Sequence, residues 1–273
     1  MQSLAKKTIV VTGASRGIGS AIAVRCGQAG ANVVILAKTS DPHPKLMGTI
    51  HSVADEIRSA GGNALPLQID LRDSEALQRA IMQAAETFGG IDALINNAGV
   101  LNLTNTLNTP MKRFDLMTGV NARATFCASQ ACIPFLQKAK NPHIINVSPP
   151  LNMDKKWFKH HLPYTISKYG MSMCTLGMSA EFAQEGIAVN SLWPQTTIAT
   201  TAVEVHFPQE VYQGSRTPKI MADAAYQLLL MNSKQCTGNF FTDESLLRQL
   251  GQTDFSQYAV NKNAKLVMDG FLE

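Results

Sequence analysis

Short apolar, β-branched runs alternate along this chain with longer stretches in which apolar residues recur at helical spacing. Thr8-Ile9-Val10-Val11 and Val33-Val34-Ile35-Leu36 lack polar alternation, so both read as strands buried on two faces. Further strands are expected at Ala64 to Ile69, Ile91 to Ile95, His143 to Val147, Ile187 to Leu192 and Gly238 to Thr242. Helices are expected from Ile18 onward, at Leu46 to Ala60, at Arg72 to Phe88 and at Lys219 to Met231. Such alternation is the mark of an α/β protein, a doubly wound parallel sheet with helices on both faces. A chain of 273 residues can build one such domain, and no linker divides it. Beyond Gly251 no pattern is readable.

The first strand meets the first helix through Thr12-Gly13-Ala14-Ser15-Arg16-Gly17-Ile18-Gly19. Gly13 permits a tight turn, Gly17 lets the backbone approach a pyrophosphate, and Gly19 lets the helix pack on the strand. The helix N-terminus offers free N–H groups to anionic oxygens, so a dinucleotide suits this turn and the sheet reads as a Rossmann fold. The same residues also spell G-x-S-x-G, the nucleophile elbow of serine hydrolases. That reading fails on position, because only one strand and a few residues precede Ser15 and the oxyanion-hole loop has no place.

After the second strand, where NAD-binding chains place an acidic residue for the ribose 2′-hydroxyl, stands Lys38. Together with Arg16 it can neutralise a 2′-phosphate, so NADP(H) is the preferred cofactor and NAD(H) a possible one; two solvated surface cations are the plainer alternative. Asp41-Pro42-His43-Pro44 then delays the next helix as an insertion loop. Asp70-Leu71 closes the third strand beside the expected ligand crevice, although Asp70 can equally cap the following helix. In Asn96-Asn97-Ala98-Gly99 the amides can tie adjacent strand ends together, and Gly99 leaves room for a ribose.

Composition narrows the classes. Lys and Arg number 24 against 20 Asp and Glu, a net charge of +4 too mild to make nucleic acid the main partner. No apolar stretch is long enough to span a bilayer, and Met1 to Lys7 has no signal-peptide pattern, so a soluble, intracellular and cytoplasmic protein is expected. Five scattered cysteines (Cys26, Cys127, Cys132, Cys174, Cys236) in apolar contexts read as core residues of a reducing compartment. The histidines lack metal-ligand spacing, so no metal is expected.

The T-G-x-x-x-G-x-G turn, Asp70, N-N-A-G and Tyr164-Thr165-Ile166-Ser167-Lys168 stand in the order of the short-chain dehydrogenase/reductases, and from Lys7 to about Leu247 the chain resembles that family. Ser148-Pro149-Pro150-Leu151-Asn152 and Tyr169-Gly170-Met171-Ser172-Met173 are most similar to its hydroxysteroid-dehydrogenase-like branch, here without that branch's lipid-carrier domain. Tyr164 and Lys168 are i and i+4 on one helix face, where a nearby cation favours the phenolate. Tyr164 is thus the candidate general acid or base for a hydride transfer, and the resemblance implies that Lys168 also holds the ribose hydroxyls. It also implies that Asn121 supports a proton-relay water and that a serine polarises the substrate oxygen. Family spacing for that serine falls on Pro149 or Leu151, leaving Ser148, one residue early, or Asn152 as donor. Gln195 replaces the glycine usual after Pro194, and Thr196, Thr197 and Thr200 can bond the nicotinamide carboxamide.

Leu151, Met153, Trp157 and Phe158, with Val203, Val205, Phe207, Val211 and Tyr212, are expected to line a pocket for a hydrophobic carbonyl or alcohol substrate. Lys155, Lys156, Lys159, His160 and His161 edge it, suited to an acidic handle or simply solvated. The resemblance implies a homo-oligomer, a dimer or tetramer; an NADP(H)-binding sensor or assembly protein with weak catalysis is the alternative to an enzyme, and reduction of a carbon-carbon double bond is a further variant.

Overall fold

The structure, a computed structural model, describes residues 3–43 and 47–272. The seven parallel strands are β1 (Thr8–Thr12), β2 (Asn32–Ala37), β3 (Asn63–Gln68), β4 (Ala93–Asn96), β5 (His143–Asn146), β6 (Ala188–Trp193) and β7 (Phe240–Thr242), in the order β3-β2-β1-β4-β5-β6-β7. The reversal of winding between β1 and β4 opens a crevice at the carboxyl ends of the strands, where ligands of such sheets bind.

The β-branched runs form strands because both of their faces find apolar cover. Ile9, Val11, Val33, Ile35 and Ile95 point to one side, against α1 (Gly17–Gln28), α2 (Ile50–Ser59) and α10 (Lys219–Leu230). Val10, Val34, Leu36, Leu94 and Ile144 point to the other, against α3 (Ser74–Phe88) and α5 (Ala124–Leu136). The remaining helices are α4 (Met111–Met117), α6 (Lys156–Lys159), α7 (Leu162–Glu181), α8 (Thr201–His206), α9 (Gln209–Gln213) and α11 (Asp243–Gln249). Among the described residues no helix is long and apolar enough to cross a membrane.

Two helix starts differ from the sequence reading, each because a side chain captures the first-turn amides. Helix α2 begins at Ile50, where Thr49 and Ser52 form a reciprocal capping box; the expected start at Leu46, like Pro44 of the loop, lies outside the described residues. Thr49→Ala is expected to cost about 1 kcal/mol and lower the melting temperature by about 2 °C in a thermal melt. Helix α3 is capped by Asp73, whose carboxylate accepts from Ala76 N at 2.9 Å, so Asp70 is not its cap.

The unpatterned tail returns to the crevice. Val260 N donates to Ser215 O at 3.0 Å, Val267 N to Gly214 O at 2.9 Å, and Thr197 N to Val267 O at 2.9 Å. Phe271 is then buried among Tyr169, Trp193, Trp157 and Tyr164 in a third apolar cluster.

Candidate active site

A cleft of about 890 Å³ runs along the strand ends from Arg16 and Lys38 to Tyr164 and Phe271. Gly13, Ser15, Arg16, Gly17 and Ile18 form one wall of it. Gly13 has φ 66°, and a Cβ there would lie 2.7 Å from Ala98 Cα. Gly19 lies behind this wall as a packing residue, since a Cβ would meet Asn97 Nδ2 at 2.3 Å and Gly13 O at 2.6 Å. Arg16 precedes α1 without a side-chain cap, and the first turn of the helix holds no acidic residue. Its leading N–H groups therefore suit a phosphate, so the residues present fit a dinucleotide.

Asn97 donates to Thr12 O at 3.0 Å and Gly13 O at 3.1 Å, tying β4 to β1, while Asn96 donates to Asn146 Oδ1 at 2.9 Å and ties β4 to β5. These bonds hold Ala98 and Gly99 in the cleft wall beside Leu71. Lys38 lies 3.3 Å from Asp70 Oδ2, and Arg72 grips the same carboxylate through two nitrogens at 3.0 and 2.6 Å. The Arg72 hydrogen bonds hold the Asp70 carboxyl well below the usual carboxylate range. Arg16 donates to Met47 O and Gly48 O, which fixes its guanidinium at the same end.

At the other end Tyr164 and Lys168, one turn apart on α7, both face the cleft. The Lys168 ammonium donates to Val147 O at 2.6 Å and Met171 Sδ at 3.3 Å, and burial lowers its pKa to about 7. Tyr164 does not show the expected shift toward phenolate: burial first, then the charge of Asp269, push its phenol above the ordinary value. Asn121 sits in a π-helical segment, Thr118–Arg123, between α4 and α5. Its amide is consumed internally, accepting from Val100 N at 2.8 Å and donating to Val100 O at 3.1 Å and Ser167 Oγ at 2.9 Å. It thereby joins the loop after β4 to α7, and its side chain does not line the cleft.

Ser148 is not brought to the cleft either. Its hydroxyl is fully buried against Ser191 Oγ at 2.8 Å, which also bonds Thr175, because alternation along the strand end turns it into the sheet interior. Asn152 spends its carboxamide oxygen on Asp154 N and is likewise absent from the lining. Of the expected apolar wall, Val203, Phe207 and Val211 line the cleft, Leu151, Trp157 and Phe158 pack in the cluster behind Tyr164, and Met153 and Val205 face solvent. Lys155, Lys156 and Lys159 stay outside the lining, so only His161 of the expected basic edge reaches it. Thr197 lines the cleft with its hydroxyl 2.8 Å from Ser215 Oγ.

Sequence reasoning missed Val267, Met268, Asp269, Gly270 and Phe271, all in the cleft wall. The segment has no periodicity, and the only local signal is a small cluster of apolar residues around Asp269.

The short chain dehydrogenase family model matches residues 7–210. Hydroxysteroid dehydrogenase-like protein 2 of Danio rerio is 55% identical over 270 residues, covering 99% of this chain but 65% of that protein, so the chain spans slightly less than two thirds of this relative. A solved short chain dehydrogenase of Mycobacterium thermoresistibile is 44% identical with a TM-score of 0.94, covering 99% of this chain and 96% of that one. A metagenomic short-chain oxidoreductase solved in complex with NADP is 27% identical with a TM-score of 0.72, covering 88% and 98%. With the glycine turn, the strand-end amides and the Tyr164/Lys168 pair at one cleft, the chain belongs to the short-chain dehydrogenase family.

Proposed function

We propose that the protein interconverts a carbonyl and a secondary alcohol on a hydrophobic, lipid-like substrate, using NADP(H), with Tyr164 as general acid and base. The observation that carries this is the convergence of Tyr164 and Lys168 with the glycine turn on one continuous, largely apolar cleft. When bound, the dinucleotide supplies or accepts the hydride. Gly13, Ser15, Gly17 and Ile18 would hold its phosphates, Asp70 and Leu71 its adenine side, and Asn97, Ala98, Gly99 and Thr197 the remainder, with Lys168 at the ribose. A neutral Tyr164 phenol hands its proton to the carbonyl oxygen during reduction and takes it back during oxidation. Asn121 acts through Ser167 and Val100 to set the position of α7 against the cofactor wall.

The NADP(H) preference rests on charge. Lys38 and Arg72 share a single carboxylate, Asp70, and Arg16, bonded to Met47 O and Gly48 O, lines the same cleft, leaving a positive surplus where a 2′-phosphate would lie. Lys38→Glu is expected to reduce the preference for NADPH over NADH by about tenfold in calorimetry. Phe126, Ile166, Met173 and Leu176 leave an apolar face exposed on α5 and α7, which supports assembly as a homo-oligomer.

The inward turn of Ser148 favours a second reading, an NADP(H)-binding sensor or assembly protein with weak catalysis. The same preparation separates them: NADPH against NADH by calorimetry, then NADPH oxidation with a panel of hydrophobic ketones and aldehydes. Binding with turnover is the expected result; tight binding without turnover across a broad panel supports the sensor, and no binding of either nucleotide overturns both.

A further inference from the structure

We propose that Asp269, carried into the cleft by the C-terminal segment, supplies the hydrogen bond to the substrate's carbonyl oxygen that Ser148 is not placed to make. The inference rests on the oxidoreductase reading above. Two departures from the family's pattern bear on this segment: the cleft hydroxyl after β5 is lost, and Gln195, which bonds the segment, stands after Pro194. Gln195 is the segment's anchor. Its carbonyl accepts from Asp269 N at 3.2 Å, its Nε2 lies 3.2 Å from Met268 Sδ, and Thr196 bridges Met268 in antiparallel register. Asp243 in turn fixes the anchor, accepting from Gln195 N at 2.9 Å.

On the other side of Asp269, Trp193 Nε1 donates to Gly270 O at 2.9 Å, and Phe271 takes φ 69° to bury its ring against Tyr164, at 6.2 Å, and His161, at 6.0 Å. Asp269 is thereby pinned from both sides, lining the same cleft as Tyr164 and Lys168. Its Oδ1 accepts from Gly270 N at 2.7 Å, and among the described residues the carboxyl makes no other hydrogen bond. The groups that face it are Lys168 and Tyr164 on α7 and Asp243 at the start of α11. Burial dominates there and, with a smaller push from Asp243, holds the carboxyl up at about 7 against the hydrogen bond from Gly270 N and the lesser effect of the Lys168 charge.

A carboxylic acid kept neutral by its surroundings can donate to a developing oxyanion. Of the other polar side chains of the cleft, Thr197 shares its hydroxyl with Ser215, Thr200 accepts from Val203 N as the cap of α8, and His161 Nδ1 is paired with Thr165 at 3.0 Å. During reduction the hydride adds to the carbonyl carbon, the π pair moves to oxygen, and the Tyr164 proton completes the alcohol. In its protonated form, which gains as pH falls below about 7, Asp269 keeps its own proton and lowers the charge cost on oxygen.

Asp269→Ala and Asp269→Asn test this in the full chain, with NADPH and an aromatic 1,2-diketone as the carbonyl probe. The alanine variant is expected to lose about 10²–10³ in kcat with NADPH affinity unchanged. The asparagine variant retains a donor N–H, so it is expected to stay within about tenfold of the parent and to lose the decline in reduction rate as pH rises through neutrality. An alanine variant within about threefold of the parent overturns the assignment. A readout independent of turnover is carbon-13 NMR of aspartate-labelled protein saturated with NADP⁺: the signal missing in Asp269→Asn is expected to titrate near neutrality. Titration near about 4 means an ionised group that cannot donate, and it overturns the assignment too. Tyr164→Phe run alongside separates the two failures: an active Tyr164→Phe sinks the oxidoreductase reading, whereas an inactive one beside an active Asp269→Ala sinks only the role of Asp269.

Discussion

Tyr164→Phe is expected to lower kcat for carbonyl reduction by about 10²–10⁴-fold while NADPH affinity stays within about twofold. The substitution removes one oxygen and little else, because the ring remains to pack against His161 at 6.3 Å and Phe271 at 6.2 Å. Loss of rate therefore reports lost proton transfer, not a disturbed cleft. The sign of the pH dependence follows from the environment. Burial and Asp269 raise the phenol above its ordinary value, so Tyr164 is neutral at physiological pH, the form that gives a proton. Reduction is thus favoured at neutral and lower pH, and alcohol oxidation, which needs the phenolate, accelerates as pH rises. Steady-state rates in both directions across pH check this, and a variant keeping more than about a tenth of the parental kcat would exclude Tyr164 as the proton donor.

Gly13→Ala carries the second large effect, on both stability and binding. The residue has φ 66°, where a side chain is strained, and the new Cβ would lie 2.7 Å from Ala98 Cα and 3.0 Å from Ala98 Cβ. A backbone atom cannot rotate away, and Ala98 is itself held by its N–H to Thr12 Oγ1 at 3.1 Å. A loss of about 2–4 kcal/mol is expected in denaturant unfolding, with NADPH affinity down by at least about 100-fold. Gly99→Ala is the contrasting case. Its added Cβ would meet nothing nearer than Asn121 Oδ1 at 3.8 Å, so the fold should be indifferent and any loss of NADPH binding reports the ligand's own approach to that backbone. Equal destabilisation by the two substitutions would contradict the packing account.

Much of this was legible in the residues. Uninterrupted β-branched runs can be buried only where both faces are covered, and that condition forces the parallel, doubly wound sheet. The i, i+4 relation of Tyr164 to Lys168 is a property of one helix, so local spacing placed both on the cleft. The start of α2 also rests on a local pair, Thr49 and Ser52, but the sequence reading set it at Leu46.

Ser148, the pairing of Asp70 with Lys38 and the tail were not readable, because they are settled by partners distant in sequence. Ser148 turns inward to meet Ser191 on β6, 43 residues away, and Asp70 is claimed by Lys38 across the neighbouring strand as well as by Arg72. Apart from the single 3-10 turn Ser256–Tyr258, the described residues after Gly251 form no regular element, so they show no period. They are ordered by bonds to Gln195, Thr197, Gly214 and Ser215 and by the aromatic cluster that receives Phe271. Local pattern determined the sheet, the glycine turn and the Tyr164/Lys168 pair; only tertiary packing decided which polar group stands beside Tyr164, because that neighbour, Asp269, arrives from 105 residues along the chain, by the difference of 269 and 164.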